Sequence, residues 1–317
     1  MTMRYSLVLP IVAVRPEQAV PFANLVRWTR AERLWQGQSQ VVDNHQLAAW
    51  LAGIGIRVPT GFGVDLTPLR TPYHAASEAR STALVTGCPV LAAYGPGWPD
   101  YQRAVLGEPY RSPLAATRDY VSAVRALLRG ELAENEGGAH PMRAGLLTVP
   151  APEVRVGIGA LRPRMAELAG QVADAAVTWL SPPEHLRDVL VPRVTEASAA
   201  AGRDPVPTTA IVPMALAEDG REHDDTALAT FGAHLRAPHY QAALREAGLD
   251  LTGEPADAAK LTEAGGFLWG TPSDIRDGLR RYEEAGVDEV VLNVTGVAAT
   301  KGARAAASDL ERVLDIL

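Results

Sequence analysis

Eight short runs dominated by apolar and β-branched residues recur along the 317-residue chain, and a longer amphipathic segment follows each one. This alternation restricts the fold more than any other feature. The runs fall at 4–12, 33–37, 58–64, 88–94, 154–160, 175–180, 208–217 and 289–295. Several of them (VLPIV, VRVGIGAL, EVVLNV) are almost unbroken in apolar residues, the pattern of strands covered on both faces. Strict strand–helix alternation with eight strands predicts one closed (β/α)8 TIM barrel over 1–317, with a two-domain Rossmann arrangement as the alternative.

The intervening segments carry helix signals. Pro72 suits the first turn of a helix at 71–86 that Gly87 ends. Tyr120, Val121, Val124, Leu127 and Leu128 form one apolar face at 112–129, before Gly130. Met165, Leu168, Ala169 and Val172 share a side of Pro163–Val172. Thr271 reads as an N-cap, with Pro272 at N1, Asp274 at N3 and Gly286 as the stop. Two stretches exceed the repeat: a Gly/Pro/Glu-rich loop at 132–152, and an insertion with helical pieces at 218–270, between strands seven and eight. Long insertions on barrel loops commonly build lids or substrate walls.

A net charge of −7 argues against a nucleic-acid surface. The single cysteine, Cys88, excludes an intramolecular disulfide and a cysteine metal cage. The apolar start is broken by Pro10 and reads as a core strand, and no segment has the length of a membrane span, so a cytoplasmic protein is expected. The seven histidines show no metal-binding spacing, and each reads as a packing or surface residue. No metal is expected.

Three Gly-x-Gly turns lie at strand ends: Gly61-Phe62-Gly63, Gly95-Pro96-Gly97 and Gly157-Ile158-Gly159. None extends to the dinucleotide fingerprint, because the sixth positions are Leu66, Asp100 and Arg162. After strand five, Gly159-Ala160-Leu161 leads to a helix opening at Arg162-Pro163-Arg164. Free amides and two guanidiniums there suit a phosphate, and an ordinary helix start with exposed arginines has the same sequence. Trp35, Trp98 and Trp179 fall at or just past strand ends, where an aromatic ring packs on a planar cofactor or closes a pocket. Trp28, Trp50 and Trp269 read as core packing.

The run VGIGALRPRMAELAGQVADAAVTWLSP resembles a signature of the bacterial luciferase-like monooxygenases, in particular their F420-dependent oxidoreductase branch. There a Gly-Ala-Leu-Gly-Pro-Arg-Met run leads to an Ala-Asp-Gly strand. TGFGVDLTPLRTPYHAA, AAYGPGWPDYQRAVLG and GTPSDIRDGLRRYEEAGVDEVVL extend the resemblance over nearly the whole chain. It implies a homodimeric barrel holding the deazaflavin coenzyme F420 at the C-terminal strand ends. It implies a non-proline cis peptide at Gly63–Val64 behind the deazaflavin ring, followed by Asp65, Leu66 and Thr67. Gly95, Pro96 and Gly97 match the strand-four turn beside the cofactor. Gly159, Ala160, Leu161, Arg162 and Pro163 match the phosphate turn, and Thr178 and Trp179 the strand-six wall.

The sequence departs from the family in two places. Many members carry an acidic residue and a histidine after strand two, where this chain has Gln38 and Ser39. Some deazaflavin dehydrogenases carry a glutamate where this chain has Trp98. The expectation is therefore an F420H2-dependent reductase delivering hydride to an activated C=C or C=N bond of a small-molecule or peptide natural-product intermediate. Ser39, Tyr94 or a water would donate the proton. An FMN monooxygenase and a non-catalytic cofactor-binding barrel are the alternatives. Gly63→Val is expected to abolish cofactor binding and leave the fold intact.

Overall fold

The computed structural model describes residues 3–317. Eight strands form the barrel: β1 Arg4–Val8, β2 Leu34–Gln36, β3 Thr60–Leu66, β4 Val90–Gly95, β5 Val154–Gly159, β6 Ala175–Trp179, β7 Thr208–Leu216 and β8 Glu289–Asn293. Each pairs in parallel with its neighbours in chain order, and β8 pairs with β1 to close the ring. All eight overlap the expected runs; most are shorter, while β3 runs on to Leu66 and β4 to Gly95. β3 and β4 begin just after Pro59 and Pro89, which have no amide to donate to a ladder. The two prolines still accept, from Leu34 N and Thr60 N. β1 stops before Pro10.

The helix signals are realised locally. Thr71 and Ser112 accept from His74 N and Ala115 N, and Thr271 and Asp274 form a reciprocal capping box. Gly87 and Gly286 take φ of 68° and 82° past two of the helix ends. The 132–152 stretch contains an antiparallel pair, Ala133–Asn135 with Met142–Ala144. The insertion contains helices His223–Leu235, Pro238–Glu246 and Asp257–Glu263, then a strand, Leu268–Gly270, that pairs with the upper end of β7. A buried Arg221–Asp309 pair ties its start to the C-terminal helix.

Two cores follow from the period of two along each strand. One face of each strand joins the helical shell, while Val8, Trp35, Leu91, Ala93, Ala175, Val177, Ile211 and Val291 fill the barrel interior. Trp35 dominates that interior. It is fully buried, and its Nε1 donates to Glu289 Oε1 at 2.9 Å, which also accepts from Ser6 Oγ and pairs with Arg33. Gly61 and Gly63 make room for the indole: a Cβ on Gly61 would lie 2.3 Å from its ring, and one on Gly63 2.9 Å. Three expectations change here. Trp35 is a barrel-core residue and faces no cofactor. Gly63→Val meets Trp35 and Ile211, so it disturbs packing as well as any ligand. Trp28 is 72% exposed and lies outside the core.

Candidate functional site

A cavity of about 550 Å³ opens at the N-terminal end of the barrel beside Arg125, Arg155, Asp174 and Arg203. Its cations are already engaged. Arg203 donates to Gly170 O and Ala173 O, Arg155 to Asp174 O, and Arg125 to Asp174 Oδ1. They brace helix and strand ends and leave little free chemistry. The other end of the barrel, where the strands deliver their C-termini, is the functional face of this architecture.

At that end the floor is the end of β3. The Gly63–Val64 peptide is cis, and both residues are partly exposed. Val64 is seated between two bare positions. A Cβ on Gly95 would lie 2.9 Å from its Cγ2, and one on Gly159 3.0 Å from its Cγ1. Glycine at 95 and 159 thus lets Val64 and the neighbouring backbone form a smooth surface. The strand then turns Asp65 away from the mouth. Its buried carboxylate meets His45 Nε2 at 3.1 Å, Asn44 Nδ2 at 3.4 Å and Arg70 at 3.5 Å. Arg70 also pairs with Glu78 at 2.9 Å and donates to Gln38 Oε1, which accepts from Leu66 N. Gln38 and Asp65 therefore support the floor from behind.

Of the expected proton donors, Ser39 stays at the partly exposed rim, where its Oγ accepts from Val41 N. Tyr94 does not reach the mouth. Adjacent strand residues point to opposite faces, and Tyr94 shares the helix-facing side with Val90 and Ala92. Its ring lies 5.2 Å from that of Tyr120, its hydroxyl has no partner, and burial holds its pKa well above the usual phenol value. Thr178 is likewise buried in the wall, facing away from the inward Val177 and Trp179.

The turn after β5 is partly committed. Ala160 N donates to Val177 O, which leaves the start of helix Pro163–Val172 and the two arginines as anion donors. That helix has no capping side chain. Arg162 is bonded through Nε and its terminal nitrogen to Glu246, the last residue of helix Pro238–Glu246.

The insertion brings residues that no local spacing marks. His234 meets Trp179 edge-on at 5.4 Å and Tyr240 at 4.8 Å, while His239 packs on Tyr240 at 4.4 Å and lies parallel to Trp98. Burial lowers the pKa of all three nearby imidazoles, His185, His234 and His239. His234 falls to about 4, with repulsion from His239 adding to burial. Burial pushes Tyr240 up to about 12. All four rings are neutral at pH 7. The only advance signal was the insertion's position on the C-terminal rim. Among the described residues, no group of His, Cys, Asp and Glu is arranged to hold a metal, and no helix is long and apolar enough to cross a membrane.

Residues 4–289 match the luciferase-like monooxygenase family. A 5,10-methylenetetrahydromethanopterin reductase of Methanolobus tindarius is 29% identical over 148 residues, which span 47% of this chain and 45% of that protein. The chain therefore aligns with less than half of that relative's length. The enzyme of the same name from Archaeoglobus fulgidus is 24% identical over 277 residues, 78% of this chain and 81% of the relative. The fold is shared with the coenzyme F420-dependent tetrahydromethanopterin reductase of Methanopyrus kandleri, at a TM-score of 0.75 and 18% identity, covering 99% of this chain and 98% of that one.

Proposed function

Because the chain belongs to the luciferase-like monooxygenase family, we propose that it is an F420H2-dependent reductase, acting on an activated C=C or C=N bond of a small-molecule or peptide natural-product intermediate. The observation that carries this reading is the bare, partly exposed Gly63–Val64 backbone, flanked by glycines at 95 and 159 and facing the uncapped helix start at Arg162. Side chains at those glycines would push Val64 out of its seat and break the smooth surface on which a flat tricyclic ring would lie, so the residues present fit the cofactor. The likeness to the coenzyme F420-dependent reductase of Methanopyrus kandleri supports the same choice.

In this reading Gly63, Val64, Gly95, Pro96 and Gly97 hold the ring face, with Trp179 as the side wall. Leu161, Pro163 and the amides at the helix start lie beside Arg164 and Arg162, which would hold the phosphate once Arg162 is released from Glu246. The bound cofactor supplies a hydride. The protein fixes the orientation of the reactants and excludes water. The buried Arg70 cluster keeps the β3 end rigid behind the floor, and helix Pro238–Glu246 covers the mouth. Ser39, whose Oγ accepts from Val41 N at the partly exposed rim, would protonate the reduced substrate in this reading. The same reading carries a homodimeric, cytoplasmic enzyme without nucleic-acid or membrane partners.

The test is a tryptophan-fluorescence titration of purified protein with F420, FMN and NADPH. Quenching that saturates with F420 alone is the expected result. Protein that retains yellow flavin and consumes oxygen would instead establish the FMN monooxygenase, F420 binding with no reduction of any substrate would leave a non-catalytic cofactor-binding barrel, and binding of none of the three would refute the reading.

A further inference from the structure

Around the upper end of β6, three side-chain nitrogens are buried without a hydrogen-bond partner: Trp179 Nε1, His185 Nε2 and His234 Nδ1. They come from three separate segments, yet they converge. Trp179 and His185 line one enclosed cavity with Leu161, Leu180, Tyr240 and Leu244. His234 stands edge-on to Trp179 beside it. His185 is only 7% exposed, so solvent does not serve its nitrogen. Buried polar groups are almost always paired, and each exception calls for an explanation. Two exceptions lining one cavity, with a third in the ring packed against Trp179, point to a partner that the chain does not supply.

Backbone geometry points to the same place. Leu180, directly after Trp179, has φ of 55°, the left-handed region that a leucine occupies only when its surroundings hold it there. The roof is helix Pro238–Glu246, fastened at one end by the solvent-facing Arg162–Glu246 pair. The cavity beneath it is about 10 Å³, room for roughly one water-sized group such as a single carbonyl oxygen.

The chemistry of the lining selects the ligand. Indole N–H only donates, so its partner must be an acceptor. No charged side chain lines the cavity, and the nearby guanidinium of Arg162 is held outside by Glu246. A carboxylate or phosphate would be desolvated there without a counter-charge. Burial keeps the two imidazoles neutral, which removes the other source of positive charge. We propose that Trp179 Nε1, His185 Nε2 and His234 Nδ1, with each imidazole in the tautomer that carries its proton on that nitrogen, form a substrate subsite that donates to an uncharged acceptor, the carbonyl oxygen of a ketone, enone or amide. Trp179 also packs on the interior cluster that supports Val64, so this oxygen would sit beside the floor of the mouth. The inference deepens the reductase reading and rests on it for calling the ligand a substrate.

The experiment uses the full chain without deazaflavin. Indole nitrogens are isotope-labelled, and the Trp179 cross-peak is assigned by its loss in Trp179→Phe. Cyclohexenone is the neutral probe and cyclohexenecarboxylate the size-matched anion. The expected result is a saturable downfield shift of the Trp179 indole proton with the enone and none with the anion. His234→Phe keeps the ring contact, removes one hydrogen-bonding atom, and is expected to weaken enone binding by about fivefold to tenfold. An equal response to the carboxylate overturns the proposal, as does an unmoved Trp179 signal or undiminished binding by His234→Phe. The F420 titration above fails or succeeds independently of this result, so loss of the reductase reading and loss of the subsite are told apart.

Discussion

An alanine at Gly61 places its methyl carbon 2.3, 2.5 and 2.7 Å from Cδ2, Cε2 and Cε3 of Trp35. The indole has nowhere to retreat. It is fully buried, and its Nε1 is bonded to Glu289 Oε1 at 2.9 Å. Overpacking of this kind costs about 1–3 kcal/mol. A tilt that relieves the clash breaks a hydrogen bond to a buried carboxylate, worth roughly another 1.5–3 kcal/mol. Gly61→Ala is therefore expected to destabilise the protein by about 4 kcal/mol, near the middle of the range these two effects span together. Urea unfolding followed by far-ultraviolet circular dichroism measures it on protein without cofactor. Trp35→Phe, with its smaller ring, should absorb the extra methyl, so Gly61→Ala in that background should cost at least ~1 kcal/mol less. If the two changes add within about 0.5 kcal/mol, Gly61 is not there to admit Trp35 and the packing argument fails.

Three further outcomes are expected. Tyr94→Phe removes a buried, unpartnered hydroxyl; stability should stay level or rise by up to about 1 kcal/mol, with turnover within about twofold. A tenfold or greater loss of turnover would put Tyr94 back in the reaction. Glu246→Gln frees the half-exposed Arg162, so inorganic phosphate, followed by tryptophan fluorescence, should bind about twofold to fivefold tighter, and weaker binding would refute the competition. His234 has its pKa lowered from 6.5 to about 4 in the folded protein, so unfolded chains take up its proton more readily. Its contribution is complete above pH 6.5 and is lost as the pH falls towards 4, about 3 kcal/mol in all. Protection factors of the amides across 238–246, taken relative to the intrinsic exchange rate at each pH, should fall over that window in the wild type and less so in His234→Phe; identical pH slopes would count against it.

The sequence alone determined the features that depend on near neighbours along the chain. Eight apolar runs separated by amphipathic segments dictate eight parallel strands with helices between them. Pro59 and Pro89 set strand starts, and Thr71, Ser112 and Thr271 set helix starts, because these effects act within one turn of backbone. Motif order was enough to mark Gly63–Val64 and the turn at Gly159–Arg162. Tertiary structure alone decided which way side chains face. A strand apolar on both sides carries no polar phase to tell interior from shell, so nothing local sends Trp35 into the barrel and Tyr94 and Asp65 away from its mouth. The meeting of Trp179, His185, His234 and Tyr240 was equally hidden in the sequence. It exists only because the insertion folds back across the rim, bringing together residues whose separation in the chain is bridged by packing and by no local rule.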